Sequence, residues 1–311
     1  MAYRLKLREA PGDGFKRVGR EQLRVAGAAL AAGVAMPTAV HDARKALKRL
    51  RALIAGAAPC LERGQAKQLR ALIAATARGL GPIREIAVMR ETLKRLSAHY
   101  EIAPAGAFDR VGGALEIHPA IGAGVALAAV RPSLGRLAKE FERITFDTLT
   151  LPGIAHAMGA TLAKGRRRFE HAFETLGDED MHQWRKAVQL HWRHMALVAD
   201  AWPEAFSARV ETAKRLSHLS GEDNDLATLI RFVDTCPDGV RAVDRAVVSA
   251  VCRLRQGELR TLTRPLGERL FTLDAVGLAE TITVAWRTAP LLRSTESNGG
   301  FPGGQINTLM S

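Results

Sequence analysis

Three cysteines in 311 residues, Cys60, Cys236 and Cys252, are too scattered and too odd in number for a disulfide framework. No CxxC pair suggests a zinc knuckle, so the thiols are expected to be reduced. Aromatic residues make up only 5% of the chain, which leaves little material for the stacking platforms that single-stranded nucleic acid readers use. Runs of alternating β-branched residues are scarce, which argues against a sheet-based fold. Long apolar runs are missing too. The longest, VAGAALAAGVAM (25–36) and IGAGVALAAV (121–130), fall short of the ~20 residues that span a bilayer. The opening stretch MAYRLKLREAPGDG has no apolar signal-peptide core. A cytoplasmic protein without membrane association is therefore expected. Acidic residues are in deficit: 32 Asp and Glu face 45 Lys and Arg, a net charge of +13. Such a balance predicts a polyanionic partner, whether nucleic acid, an anionic surface or a phosphate polymer.

What is abundant is Ala, Leu and Arg, the leading helix formers, with 47% hydrophobic residues to fill a core. The chain reads as all-α. Helical patterns are expected over about 15–34, 38–61, 65–77 and on to 97, then 120–149 with a kink or break at Pro132. Residues 100–119 read as loop with one short helix. Leu151-Pro152-Gly153 marks a boundary, with further helices over about 154–176, 180–201, 204–235, 239–271 and 274–286. The expected organisation is a helical unit over 1–150, a second over 151–290, and a disordered Gly- and Ser-rich tail over 291–311.

The chain repeats itself. His41-x-x-Arg44-Lys45 returns as His182-x-x-Arg185-Lys186, 141 residues later. An acid downstream, Glu85 in LGPIREIAVM, returns as Asp225 in LSGEDNDLATL, 140 residues later. Two signatures in one order at nearly one offset predict two helical bundles related by duplication. In HDARKALKRLR (41–51), at about 100° per residue, His41, Arg44, Lys45, Lys48, Arg49 and Arg51 share one side and Ala43, Leu47, Leu50 and Ile54 the other. An ordinary solvated face mixes signs, since like charges one turn apart oppose the helix. Only Asp42 offsets this stripe, which points to a bound anion.

In the second copy His182, Arg185, Lys186 and Arg193 share a side, while Gln189 and Trp192 replace Lys48 and Arg51. Trp184 is expected in the core. Asp180-x-x-Gln183 resembles a capping box, which would put His182 in the first turn, near free backbone N–H groups suited to phosphate. Arg17, Arg20 and Arg24 line one face of the first helix, beside Lys16, and Lys164, Arg166, Arg167 and Arg168 form a matching basic cluster. Glu85 and Asp225 are read as structural acids that orient a base or cap a helix.

These residues resemble the conserved histidine α-helical domain (CHAD) family. The resemblance runs through AYRLKLREAPGDGFKRVGREQL (2–23), VHDARKALKRLRALI (40–54), LGPIREIAVMRETL (80–93), MHQWRKAVQLHWRHMALV (181–198) and LSGEDNDLATL (219–229). It implies two four-helix bundles of long antiparallel helices with pseudo-two-fold symmetry. It also implies a basic surface or pore between them that binds inorganic polyphosphate. The site it implies is His41, Arg44, Lys45, Lys48 and Arg51 with His182, Arg185 and Lys186, in a protein of the cytosol or of polyphosphate granules. The chain departs from the family pattern at Gln189 and Trp192, at Glu85, where Asp is common, and at Asn224, where His is common.

Three other readings are weighed. Nonspecific nucleic-acid binding is permitted by the charge and expected weakly at low salt. No helix-turn-helix, zinc-finger or RRM pattern is present, however. A metal site lacks clustered ligands: His191 and His194 read as core or boundary residues, and cationic neighbours repel a metal ion. Catalysis on phosphates, alone or as an accessory domain, lacks a GxxxxGK[ST] loop or an ExExK strand. The expectation is a non-catalytic binder with no cofactor. Nothing in the sequence indicates an oligomeric state.

Overall fold

The helix of the charged stripe forms because apolar residues recur at helical spacing. Val40, Ala43, Leu47, Leu50 and Ile54 are all buried, each at most 1% exposed. A computed structural model describes residues 3–31, 37–100, 106–117, 123–235 and 240–298. Among them the chain is helical, without strands. The helices are α1 (Pro11–Ala31), α2 (Pro37–Ala57), α3 (Gln65–Gly79), α4 (Gly81–His99), α5 (Ala107–Ile117), α6 (Ala123–Arg143), α7 (Leu151–Thr175), α8 (Asp178–Val198), α9 (Pro203–Thr235), α10 (Ala242–Leu270) and α11 (Ala275–Asn298).

Helix ends follow local chemistry. Thr150 caps α7 through its Oγ1, which accepts from the Gly153 amide at 3.2 Å, with Pro152 in the first turn where no donor is needed. Asp274 does the same for α11, accepting from the Gly277 amide at 2.7 Å. Other expectations change. The helix over 123–143 runs through Pro132 and ends at Arg143 rather than breaking there. The expected tail at 291–311 is helical as far as Asn298, because α11 continues through Pro290, and 299–311 lie outside the described residues. Cys60 and Cys252 are free thiols, and burial pushes Cys252 up to about 12. Cys236 lies outside the described residues.

Two apolar cores result. The larger joins α1, α2, α3, α6, α7, α8 and α11 to the first half of α9, through residues such as Phe15, Leu50, Phe141, Met158, Trp184 and Phe206. It therefore draws on both sides of Leu151. The smaller holds α4, α5, the second half of α9 and most of α10, around Leu93, Leu115, Ile230 and Val248. Helix α9 crosses from one core to the other unbroken, with Leu216 in the first and Leu226 in the second. Helices α3 and α4 make the same crossing in two pieces, split at Leu80. Backbones approach closely at two glycines. A Cβ on Gly159 would lie 2.2 Å from the Ala275 carbonyl oxygen, and one on Gly19 would lie 2.0 Å from the Phe141 ring.

Candidate polyanion-binding site

Helices α2 and α8, which carry the repeated motif, pack against each other. Their basic residues meet in one groove of about 570 Å³. Arg44, Lys48 and Arg51 come from α2, and His182, Arg185 and Lys186 from α8. Arg78 at the end of α3 and Glu85 on α4 complete the polar lining. The two copies, 141 residues apart in sequence, thus form a single site.

The groove is held open by a scaffold of hydrogen bonds. Arg44 donates through Nη1 to the carbonyl of Ala77 at 3.1 Å, using an acceptor left over at the end of α3. Arg168 of α7 donates to the Gln183 carbonyl at 3.4 Å and so stands beside the groove. Beneath lies Arg193, 5% exposed, which donates to the Gln189 carbonyl at 2.5 Å and stacks over the Trp192 ring at 4.1 Å.

Burial and crowding of like charge show in the proton affinities. Burial, then the neighbouring Arg168, lowers Arg51 from its ordinary value. Burial lowers Lys186, Glu179 partly offsets it, and Arg51, Arg168 and Arg185 lower it further. Arg193 falls to about 9, chiefly through burial, with Arg51, Arg49 and Arg185 adding repulsion and Tyr3 opposing. All three remain cationic at neutral pH. A multivalent anion in the groove would relieve their mutual repulsion. His182 is lowered by burial, Lys186 and Arg185, although its Nδ1 is hydrogen-bonded to Oδ1 of Asn224. Asn224 oxygen accepts, so Nδ1 carries the proton and the neutral ring presents a bare Nε2.

Not every expected residue reaches the groove. His41 and Lys45 are exposed; His41 lines an adjoining cavity with Asp42, and Lys45 lines neither. On α1, Arg17 is forked by Glu9 (2.9 Å and 2.5 Å) and bonded to Glu21, and Arg20 is forked by Glu142 (2.9 Å and 2.7 Å). Arg24 is exposed on the same helix. These three lie outside the groove, and acids satisfy two of them. Lys16 caps the end of α6, donating to the Phe141, Glu142 and Ile144 carbonyls.

The helix-start reading of α8 is corrected. The helix begins at Asp178 after Gly177, so Asp180 sits inside the first turn and Gln183 donates to Glu179 instead of closing a box. Asp178, Glu179 and Asp180 fill that turn, and Asp178 takes Arg253, Arg260 and Gln256. His191 and His194 are buried as expected of core residues. His194 bridges Thr161 and the Ala52 carbonyl, and burial holds it down to about 4. Arg78 and Arg168 were missed. Arg168 had a weak signal in its basic run, and Arg78 had none beyond its charge.

Among the described residues no three of His, Cys, Asp and Glu gather closely enough to hold a metal ion. No described helix is long and apolar enough to cross a membrane. Comparison with family models matches residues 18–234 to the CHAD domain. No curated protein and no solved structure matches the chain.

Proposed function

The chain belongs to the CHAD domain family, and on that premise we propose that it binds inorganic polyphosphate, without catalysis, in the groove between α2 and α8. The observation that carries the proposal is the convergence of Arg44, Lys48 and Arg51 with Arg185 and Lys186 on one cavity. A run of bases one turn apart rises about 5 Å along each helix, so a flexible anionic chain meets several at once. Arg grips phosphate oxygens with paired donors, and Lys adds point charge. The shared crossing of both cores by α9 and by α3 with α4 supports a duplicated, pseudo-symmetric pair of bundles, with the site on the seam.

Such a site suits polymer handling or targeting of the protein to granules. Polyphosphate offers no bases to stack, in keeping with a groove lined by aliphatic and cationic groups. Calorimetric titration with long-chain polyphosphate at physiological salt, with duplex DNA and orthophosphate as matched controls, tests the proposal. Binding is expected at least about tenfold tighter for polyphosphate than for DNA. Equal or tighter binding of DNA would make the groove a general polyanion surface. Magnesium-dependent release of phosphate would overturn the non-catalytic part.

A further inference from the structure

The basic groove does not run into open solvent at its α9 side. Arg185 lines it and also lines the adjoining cavity of about 650 Å³. Across that one side chain the charge reverses. Five cations besides Arg185 face Glu85 on the groove side. Beyond Arg185 the walls carry Asp42, Glu91, Glu222 and Asp225, with Arg95 as the other guanidinium and with His41 and His218. Two of these acids are tied to bases, Glu222 to Arg255 at 2.7 Å and Glu91 to Arg95 at 4.0 Å, so the wall is weakened but not reversed.

The opposite side of the groove continues the positive charge. Arg168 stands close enough to Arg51 and Lys186 to lower both. Lys164, exposed one turn earlier on α7, shares its face. A bare polyanion in the groove thus has a favourable way out over α7 and meets carboxylates past Arg185.

We propose that the groove takes the end of a linear polyphosphate, with the terminal phosphate at Arg185 and Lys186 and the rest leaving over α7; this rests on the polyphosphate reading above. The chemistry of a chain end fits. A terminal phosphate, like a phosphate monoester, takes a second charge near pH 6 and offers three free oxygens, whereas an interior phosphate offers two and a single charge. The densest cationic corner is where that extra charge is best received.

The stoichiometry of binding tests this. Size-fractionated linear polyphosphates of increasing length are titrated into the full chain. Bound protein per polymer is expected to level off at the number of ends, whatever the length. Ring-closed metaphosphate is expected to bind at least about tenfold more weakly than a linear chain with the same number of phosphates. A ratio that grows in proportion to length, or equal binding of ring and line, would overturn end recognition. No binding of any polyphosphate would instead remove the reading beneath it. In the double variant Asp42→Asn, Glu91→Gln, both positions being exposed, the wall loses charge and the ratio is expected to rise with length. A ratio that stays fixed in that variant would contradict the carboxylate stop.

Discussion

His182 is a base held proton-poor by its surroundings. Burial, Lys186 and Arg185 all disfavour its cation, and Asn224 fixes which nitrogen carries the proton. An anion in the groove reverses the electrostatic balance and favours the imidazolium. The sign follows from linkage: the free protein takes up this proton below the ordinary histidine range, the bound protein at higher pH. Affinity contributed by His182 is therefore absent at alkaline pH and grows as pH falls through the bound-state value. It levels off once the free protein is protonated as well. Calorimetry from pH 8 to pH 5 on the native chain and on His182→Gln isolates this contribution, because the ligand's own titration is common to both. The two profiles are expected to diverge as pH falls, and parallel profiles would take His182 out of the site. His194 is equally depressed but for a different reason. It is fully buried and bridges α7 to α2 through Thr161 and the Ala52 carbonyl, so it serves packing.

At the scale of the element, the stripe on α2 divides into flanks with different work. Arg44, Lys48 and Arg51 face α8 across the groove. Arg49 lies over the Tyr3 ring at 5.4 Å, and the Tyr3 hydroxyl donates to the Arg49 carbonyl at 3.0 Å. Helical spacing makes the stripe legible but is silent on which flank meets a partner. The buried Leu47, Leu50 and Trp184 were legible for the same reason: period 3.6 separates core from surface without knowledge of neighbours. The arginines of α1 were not, because Glu142 lies 122 residues from Arg20 and only the packing of α6 on α1 brings it there. The start of α8 was misread because three acids and a Gly leave several equivalent caps in the sequence. Close helix contacts were invisible as well. Gly159 lets α7 approach the first turn of α11, where the Ala275 carbonyl leaves no room for a methyl group. Gly159→Ala is expected to lower the unfolding free energy by about 1–3 kcal/mol, as overpacking does, in urea titration. An unchanged midpoint would mean that α7 and α11 part at little cost.

For the whole molecule, the division of the sequence at Leu151 is a division of the motif rather than of the core. The larger core takes residues from both halves, and the smaller unites α4 and α5 with α9 and α10. Two cores bridged by long helices hold α2 and α8 side by side, and a rigid frame is what keeps like charges together against their repulsion. The excess of +13 is accordingly uneven: acids satisfy the charge on α1, while cations accumulate at the seam. The central claim, one polyphosphate site built from both repeats, is tested most directly by the affinities of four single variants at physiological salt. Lys48→Ala on α2 and Lys186→Ala on α8 are each expected to weaken binding by about tenfold, close to 1.4 kcal/mol. Lys45→Ala and Arg20→Ala, of equal formal charge change, are expected to stay within about twofold. Equal losses in all four would reduce the groove to net charge, and a loss confined to one helix would contradict a shared site.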